Sequence, residues 1–591
     1  MTRNACPQWL HPFLFPLAQL ISQNLRGTDP QAHWTELECL NLFTKPPQFS
    51  QGQAALPCFV FAKALKKSPV QIAQQLSQTF GESLPQGVSK VEAVGGYLNF
   101  YADFSVVGPK ILESVHSGAF FNPLLAPNQV EKIVVEFSQP NTNKSMHIGH
   151  LRCLVLGDSV CRLLDRVGHQ VVRATYPGDM GTHVAKSLWY IGEKLQFQLP
   201  SENQASWLGE VYAKADALLT QELGTPKEEQ NRLQLTNIVK EIHHKSGPFF
   251  KLWELTRQWS FEYMKSVYDW LSCPFDVWYT ESECDAPSIE LVKQKLNEGF
   301  FKEDAGAIGI DLSSYKLGFA LYLKSDGNGL YLTKDLELMR RKFSDPQVTK
   351  SVYVVDARQN FHFKQLFKTG ELMGYPQAAK SVHLSYETVN TEDGTPFSSR
   401  ALNGVNLTSL REDLESKVTS DYLERYRGAW SDSQIQDTAK DITIAALKYG
   451  LLKVDNNTQI HYNREEWLKL DGETGPYLQY VVARCGTILE KCGSPQVSQP
   501  LEFTMDLEKE LLWSIVEFNH QILKAAQEYR PCVVATALYD LAKQFNRFYE
   551  SCPIKTAEGS VKNLRLSLVY STQSLMKHGL QLLGIPWVPK M

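Results

Sequence analysis

Fifteen residues, Ser138 to Arg152, concentrate the chemistry of this chain: SQPNTNKSMHIGHLR. His147 and His150 stand three apart where an apolar, strand-like run, EKIVVEF, gives way to an apolar, helix-like one. Three chemistries suit such a pair: metal ligation, burial or capping, and hydrogen bonding to phosphate oxygens. Metal binding needs further ligands, and HxxH lacks the i, i+4 spacing that sets two histidines on one helical face. Burial or capping needs nothing more, and composition alone favours it. The phosphate reading draws on position. Backbone N–H groups at a helix N-terminus point outward and favour anions, and an imidazole there can donate to phosphate oxygens, an arrangement suited to a triphosphate.

The elements that must hold these residues read as alternating α/β. EKIVVEF is a strand, a helix runs from Leu151 to about Gly168, and QVVRATY is a second strand ending at PGDMG. Leu151, Leu154, Val155, Leu156, Val160, Cys161, Leu163, Leu164 and Val167 leave a narrow polar stripe of Asp158, Arg162, Asp165 and Arg166. That pattern suits a largely buried crossover on a parallel sheet. In such a sheet ligands bind beyond the carboxyl ends of the strands, where the histidine loop falls. About 130 residues of mainly helical sequence follow before strands return at GFALYLKSDGNGLYLTKD, SVYVVDARQ and SVHLSYETVN, which suggests one sheet interrupted by a large insertion.

On either side the texture changes. In residues 1–128 an amphipathic helix starts at Ser68-Pro69, and EAVGGYLNFYADF reads as strands around a Gly-Gly turn. NPLLAPNQ is the expected linker to a unit spanning 129–420. Residues 421–591 carry helical periodicity almost throughout, joined by short connections, as in an all-α bundle.

Bulk properties exclude several classes. A chain of 591 residues exceeds what one core holds, so two to four domains are expected. No apolar run is long enough to cross a bilayer, and the prolines in WLHPFLFPLAQLI argue for a folded start over a signal peptide. The eleven cysteines form no CxxC pair, which fits reduced thiols in a cytoplasmic setting and gives no structural zinc site. A net charge of -4 argues against indiscriminate nucleic-acid binding but allows a shaped groove with local basic patches.

The motifs together resemble a known family. His147-Ile148-Gly149-His150 looks like the HIGH signature of class I aminoacyl-tRNA synthetases, and VVEFSQPNTNKSMHIGHLR resembles its arginyl-tRNA synthetase form. GDMGTH is similar to that family's GDWGTQ loop, with Met180 where tryptophan is usual. KSDGNGLYLTKDLE resembles its strand-turn-strand with a YxTxD ending, and YVVDARQNFHFKQLF its DxRQxxHFxQ segment. DGETGPYLQYVVAR, LYDLAKQFNRFYESCPI and LLGIPWVPKM resemble its helical domain. The likeness runs in the family's order over essentially the whole chain.

The resemblance implies a Rossmann-type catalytic domain with a helical insertion, an N-terminal α+β module gripping the tRNA elbow, and a C-terminal anticodon-binding bundle. It implies ATP as a substrate with Mg2+ on its phosphates, and L-arginine and tRNA(Arg) as partners of a monomer. Glu136, Asn141, Tyr331, Asp335 and Gln359 would surround the arginine, whose rigid fork of five donors is best answered by carboxylates. His147, Gly149 and His150 would take ATP. The second phosphate loop departs from the family pattern: DGTPFSSRALNGVNL offers Ser398 and Ser399 before Arg400 but not the usual lysine. The resemblance gives that role to Lys144, with Arg400 as a second cation. Asn546 and Tyr549, three apart on one helix, are candidates for RNA contact. Adenylate formation is expected to require bound tRNA. Two rivals stay open: another class I synthetase, such as the cysteinyl one, and a synthetase-like paralogue that binds tRNA without charging it.

Overall fold

The structure is a computed structural model and describes residues 11, 13–28, 35–82, 84–395, 397, 406–496 and 501–591. The N-terminal module sets helices α1 (Leu14–Thr28), α2 (Pro69–Glu82) and α3 (Phe104–His116) around an antiparallel sheet. Its strands, β1 (Ala54–Pro57), β2 (Val88–Val94) and β3 (Tyr97–Ala102), lie in the order β1-β3-β2. Ser68 caps α2: its hydroxyl accepts from the Gln71 N–H while the Gln71 side chain accepts from its backbone. The Gly-Gly turn joins β2 to β3, with Gly95 at φ 58°.

The central unit is built, among the described residues, on a five-stranded parallel sheet. Its strands are β4 (Lys132–Glu136), β5 (Gln170–Thr175), β6 (Val277–Trp278), β10 (Val348–Asp356) and β11 (Val382–Tyr386), in the order β11-β10-β4-β5-β6. Helices cover both faces, so β4 is apolar on both sides. Ile133 and Val135 join the core beneath α4 (Ile148–Val167), and Val134 joins the core of the opposite face. Helix α4 lies so close to the chain leaving β4 that a Cβ on Gly157 would sit 2.2 Å from Phe137. The chain crosses from β4 through α4 to β5 on one side and returns as β10 on the other, making β4/β10 the switch point of the sheet.

The insertion contributes helices α5 (Thr182–Glu193), α6 (Gln204–Gln221), α7 (Lys227–His243) and α8 (Pro248–Trp270), followed by α9 (Glu281–Asn297). Two sequence expectations are corrected here. GFALYL does form a strand, β9 (Phe319–Leu323), but it pairs with β8 (Ala307–Asp311) and β7 (Lys302–Asp304) in a separate antiparallel sheet rather than joining the main one. YLTKD, expected as strand, opens helix α10 (Tyr331–Lys342), because the Thr333 hydroxyl accepts from the Leu330 N–H and donates to the Tyr322 carbonyl. The main helix also starts earlier than expected, at Ile148, with His147 as its cap.

Among the described residues, five long helices form the bundle: α11 (Asp432–Leu452), α12 (Gly475–Cys492), α13 (Asp506–Glu528), α14 (Pro531–Ser551) and α15 (Gly559–Leu582). Most of the polar stripe of α4 faces protein: Asp158 and Arg166 are buried and Arg162 half-buried, while Asp165 is exposed. Arg166 donates to the carbonyls of Phe120 and Asn122 and to the side chains of Asn519 and His578. Arg152 donates to the carbonyls of Asn456 and Thr458, and Lys448 lies 3.6 Å from Asp158. The expected linker is likewise tied down, since the Leu124 and Leu125 N–H groups both donate to the Val167 carbonyl.

Candidate active site

Beyond the carboxyl ends of β4, β10 and β11 opens a cavity of about 490 Å³, lined among others by Gln139, His147, Gly149, His150, Asp356 and Tyr386. The two histidines sit on its wall with ring centroids 4.0 Å apart. His147 Nδ1 accepts from the Gly149 N–H at 3.1 Å, and His150 Nδ1 accepts from the His147 N–H at 3.2 Å. A backbone N–H can only donate, so both Nδ1 atoms are unprotonated and each neutral ring carries its proton on Nε2. Burial agrees, pushing His147 down to about 4. His150 is driven well below its ordinary value by burial, then by the charges of His147 and Lys144. Each ring is therefore a neutral donor at neutral pH. Gly149 allows this: a Cβ there would lie 2.9 Å from His147 Cε1.

Lys144 lies on the same loop. Its Nζ sits 4.6 Å from the centroid of the Tyr212 ring, and its charge reaches both His150 and His183. Ser398, Ser399 and Arg400 lie outside the described residues.

An acidic enclosure adjoins the loop. Glu136, at the end of β4, is 3% exposed, pairs with the fully buried Lys342 and accepts from the Gln139 side chain at 3.2 Å. Lys342 also lies 3.6 Å over the Tyr353 ring, and burial lowers its pKa against the pull of Glu136. Asp335, one helical turn past Tyr331, has Oδ2 2.6 Å from His362 Nε2. Asn141 forms a parallel bridge to Gly178, where a Cβ would meet its Oδ1 at 2.4 Å. The Tyr176 hydroxyl is buried with no oxygen or nitrogen partner among the described residues, and its pKa is raised by burial first, then by Asp335, Cys284, Glu281 and Glu136. Glu136 and Asp335 thus both act on this buried hydroxyl. Tyr331, 74% exposed, and Gln359 face solvent, and the structure does not bring them into contact with these acids.

Sequence reasoning missed part of this wall. Glu281, pushed up to about 7 by burial and by neighbouring acids against Lys334, reads in sequence as an acidic first turn of a helix. Lys342 reads as a basic last turn, and His362 lay inside a quoted motif without a role. Met180 is buried in the core of the insertion, and Asp179 beside it accepts from Arg257 and from Ser282.

In the bundle an open cavity of about 1230 Å³ is lined by Tyr426, Trp430, Tyr480, Arg484, Tyr549 and Lys555, among others. Arg484 lies 4.3 Å over the Tyr549 ring, and Tyr426 stacks on Trp430 at 4.3 Å. Asn546 is not on this wall, because its side chain donates to the Tyr477 hydroxyl at 2.8 Å.

A parallel sheet with a HIGH histidine pair at its switch point, followed by a helical bundle, defines a class I aminoacyl-tRNA synthetase. The family model "tRNA synthetases class I (R), catalytic domain" matches residues 121–463. "Arginyl tRNA synthetase N terminal domain" matches 17–102, and "DALR anticodon binding domain" matches 478–591. The chain belongs to the arginyl-tRNA synthetase family of aminoacyl-tRNA ligases, which join arginine to tRNA(Arg) with ATP. It is 42% identical to the arginine–tRNA ligase of Bdellovibrio bacteriovorus over 95% of this chain and 96% of the relative. The Treponema pallidum arginine–tRNA ligase is 30% identical over the full length of both. Among solved structures, Thermus thermophilus arginyl-tRNA synthetase superimposes with a TM-score of 0.81 at 26% identity, covering 98% of this chain and 100% of that one.

Proposed function

We propose that the crevice beyond β4 and β10 first joins arginine to ATP as arginyl-adenylate and then passes the arginyl group to the terminal ribose of tRNA(Arg). The observation that carries this reading is the doubly capped histidine pair, whose Nδ1 atoms are both occupied by backbone N–H groups so that both Nε2–H groups are free to donate. In the first step the arginine carboxylate attacks the α-phosphate in line and pyrophosphate leaves. The protein positions the reactants and stabilises charge developing on phosphate oxygens. His147 and His150 donate to those oxygens, Gly149 lets the backbone approach, and Lys144 supplies the cation, with Ser398, Ser399 and Arg400 assigned to the phosphates by the family resemblance alone. Mg2+ arrives on the ATP phosphates. Phosphate oxygens and water would supply most of its ligands.

Asp335 and Glu136 set the acidic character of the arginine pocket, with Asn141, Tyr331 and Gln359 at its polar edge. Such a pocket rejects neutral analogues directly, because they leave buried carboxylates unpaired. Residues 1–128 would grip the tRNA elbow. Their exposed Phe59 and Tyr97, 5.4 Å apart by ring centroids, offer stacking surface beside Lys63, Lys66 and Lys67. Residues 129–420 would carry catalysis and 421–591 the anticodon, with Tyr549 as the stacking platform and Asn546 as its support through Tyr477. The enzyme would act as a monomer in the cytoplasm.

The test is arginylation of tRNA(Arg) by wild type, His150→Ala and Lys144→Ala, alongside arginine-dependent pyrophosphate exchange with and without tRNA. Each variant should lose on the order of a hundredfold in rate, and exchange should be weak until tRNA is added. Indifference to both substitutions would refute the assigned roles. An inactive wild type that still bound tRNA(Arg) would favour the tRNA-binding paralogue.

A further inference from the structure

Lys144 is held in an unusual way for the cation of a phosphate site. Among the described residues it forms no ion pair, and its charge acts on the rings of His150 and His183. What faces its ammonium is the ring of Tyr212, 2% exposed in α6 of the insertion.

The loop carrying Lys144 is gripped by the insertion from two sides. Helix α6 comes so close that a Cβ on Gly209 would lie 1.9 Å from Ser145 Oγ, 3.1 Å from Ser145 Cβ and 3.2 Å from Ser145 N. From α8, Ser260 Oγ accepts from the Asn143 N–H at 3.1 Å and lies 3.4 Å from Asn143 Oδ1, which supports Asn143 in a left-handed turn at φ 62°. Residues 143 to 145 are therefore fixed by contacts from outside the sheet, with Lys144 projecting between two anchored neighbours.

We propose that Tyr212 is a positioning residue for ATP binding, an aromatic platform on the insertion that aims the Lys144 ammonium at the phosphates. This rests on the reading of Lys144 as the phosphate-binding cation. The chemistry favours a ring over an acid in that place. A carboxylate would hold the ammonium but neutralise it and compete with phosphate, whereas the negative face of an aromatic ring restrains the cation and leaves its charge available. The insertion thereby acquires a function beyond packing: its helices α6 and α8 frame the loop on which the lysine depends.

The experiment is a double-mutant cycle on the full-length protein, read as KM for ATP, KM for arginine and kcat in tRNA arginylation, with thermal unfolding of each variant. Tyr212→Leu is expected to lower kcat/KM for ATP by about tenfold, with KM for arginine unmoved. Tyr212→Phe, which keeps the ring, should recover most of that loss. In a Lys144→Ala background, Tyr212→Leu should add nothing, because the group it aims is gone. If Lys144→Ala impairs the enzyme but Tyr212→Leu behaves as wild type, the platform is refuted while the role of Lys144 stands. If Lys144→Ala costs nothing, that role falls and the platform with it. Equal losses from Tyr212→Leu in both backgrounds, or losses shared by Tyr212→Phe, would mark the tyrosine as structural and overturn the proposal.

Discussion

Glu136 and Asp335 are both carboxylates of the proposed arginine pocket, yet a neutral amide should act differently at each. Glu136 is buried against the fully buried Lys342, so Glu136→Gln strands a charge in the interior. It should lower unfolding stability by roughly 3–5 kcal/mol, measured by urea titration, whatever it does to substrate. Asp335 is partly exposed and held by His362. Asp335→Asn should leave the urea midpoint near that of wild type and raise KM for arginine by roughly a hundredfold, with KM for ATP unchanged. An unchanged KM for arginine would remove Asp335 from the pocket. The difference was not legible in the sequence. Both acids stood in recognisable motifs, but the partner that distinguishes Glu136 lies 206 residues away and reads as one of three cations ending a helix. The histidines were more legible because their partners are backbone groups within the same turn.

At the level of elements, α4 connects the site to the rest of the protein, and its close approach to the sheet is the feature to perturb. Gly157→Ala would place a Cβ 2.2 Å from Phe137, at the start of the catalytic loop. It should destabilise by about 1–3 kcal/mol, read as a lower urea midpoint. Gly81→Ala is the contrast: nothing lies within 4 Å of its Cβ, so helix propensity alone should raise stability by about 0.4–1 kcal/mol. Equal effects at the two glycines would contradict the close packing of α4 on the sheet. Strands β4, β5, β10 and β11 and the five bundle helices were legible because each carries an uninterrupted pattern of its own period. GLYLTKD was misread because its alternation suits a strand, while Thr333 binds the Leu330 N–H and the Tyr322 carbonyl and so starts a helix. The strand assignment of GFALYL was right but its sheet was not, since pairing with β8 leaves no local trace.

Across the whole molecule, three modules meet on the polar stripe of α4, and buried histidines lie throughout the assembly. Burial lowers His147, His183 and His520 to about 4 and His578 to about 3. Their folded values lie below the ordinary 6.5, so protons bind the unfolded chain more tightly. The contribution is complete above pH 6.5 and falls as pH drops from there toward 4. Glu281, raised to about 7, acts in the opposite sense with Asp165, Asp441 and Glu517, also raised by burial. Burial nevertheless lowers nine histidines among the described residues, the four above with His11, His116, His150, His169 and His383. The urea midpoint should therefore be lower at pH 5 than at pH 7, and a higher one would contradict the neutral burial of these rings. The modular division was legible in the sequence, whereas the joints were not. Arg166 reads as a solvated helix residue, and only the fold brings Phe120, Asn122, Asn519 and His578 around it. The central claim is that this assembly charges tRNA(Arg) through the crevice beyond β4 and β10. The rate of ATP-dependent arginine attachment to tRNA(Arg) by the purified chain, set beside that of His147→Ala, tests it most directly. Charging with arginine alone, on the order of 1 per second or faster and reduced about a hundredfold in the variant, is the predicted result. Absence of charging, or charging untouched by loss of His147, would contradict it.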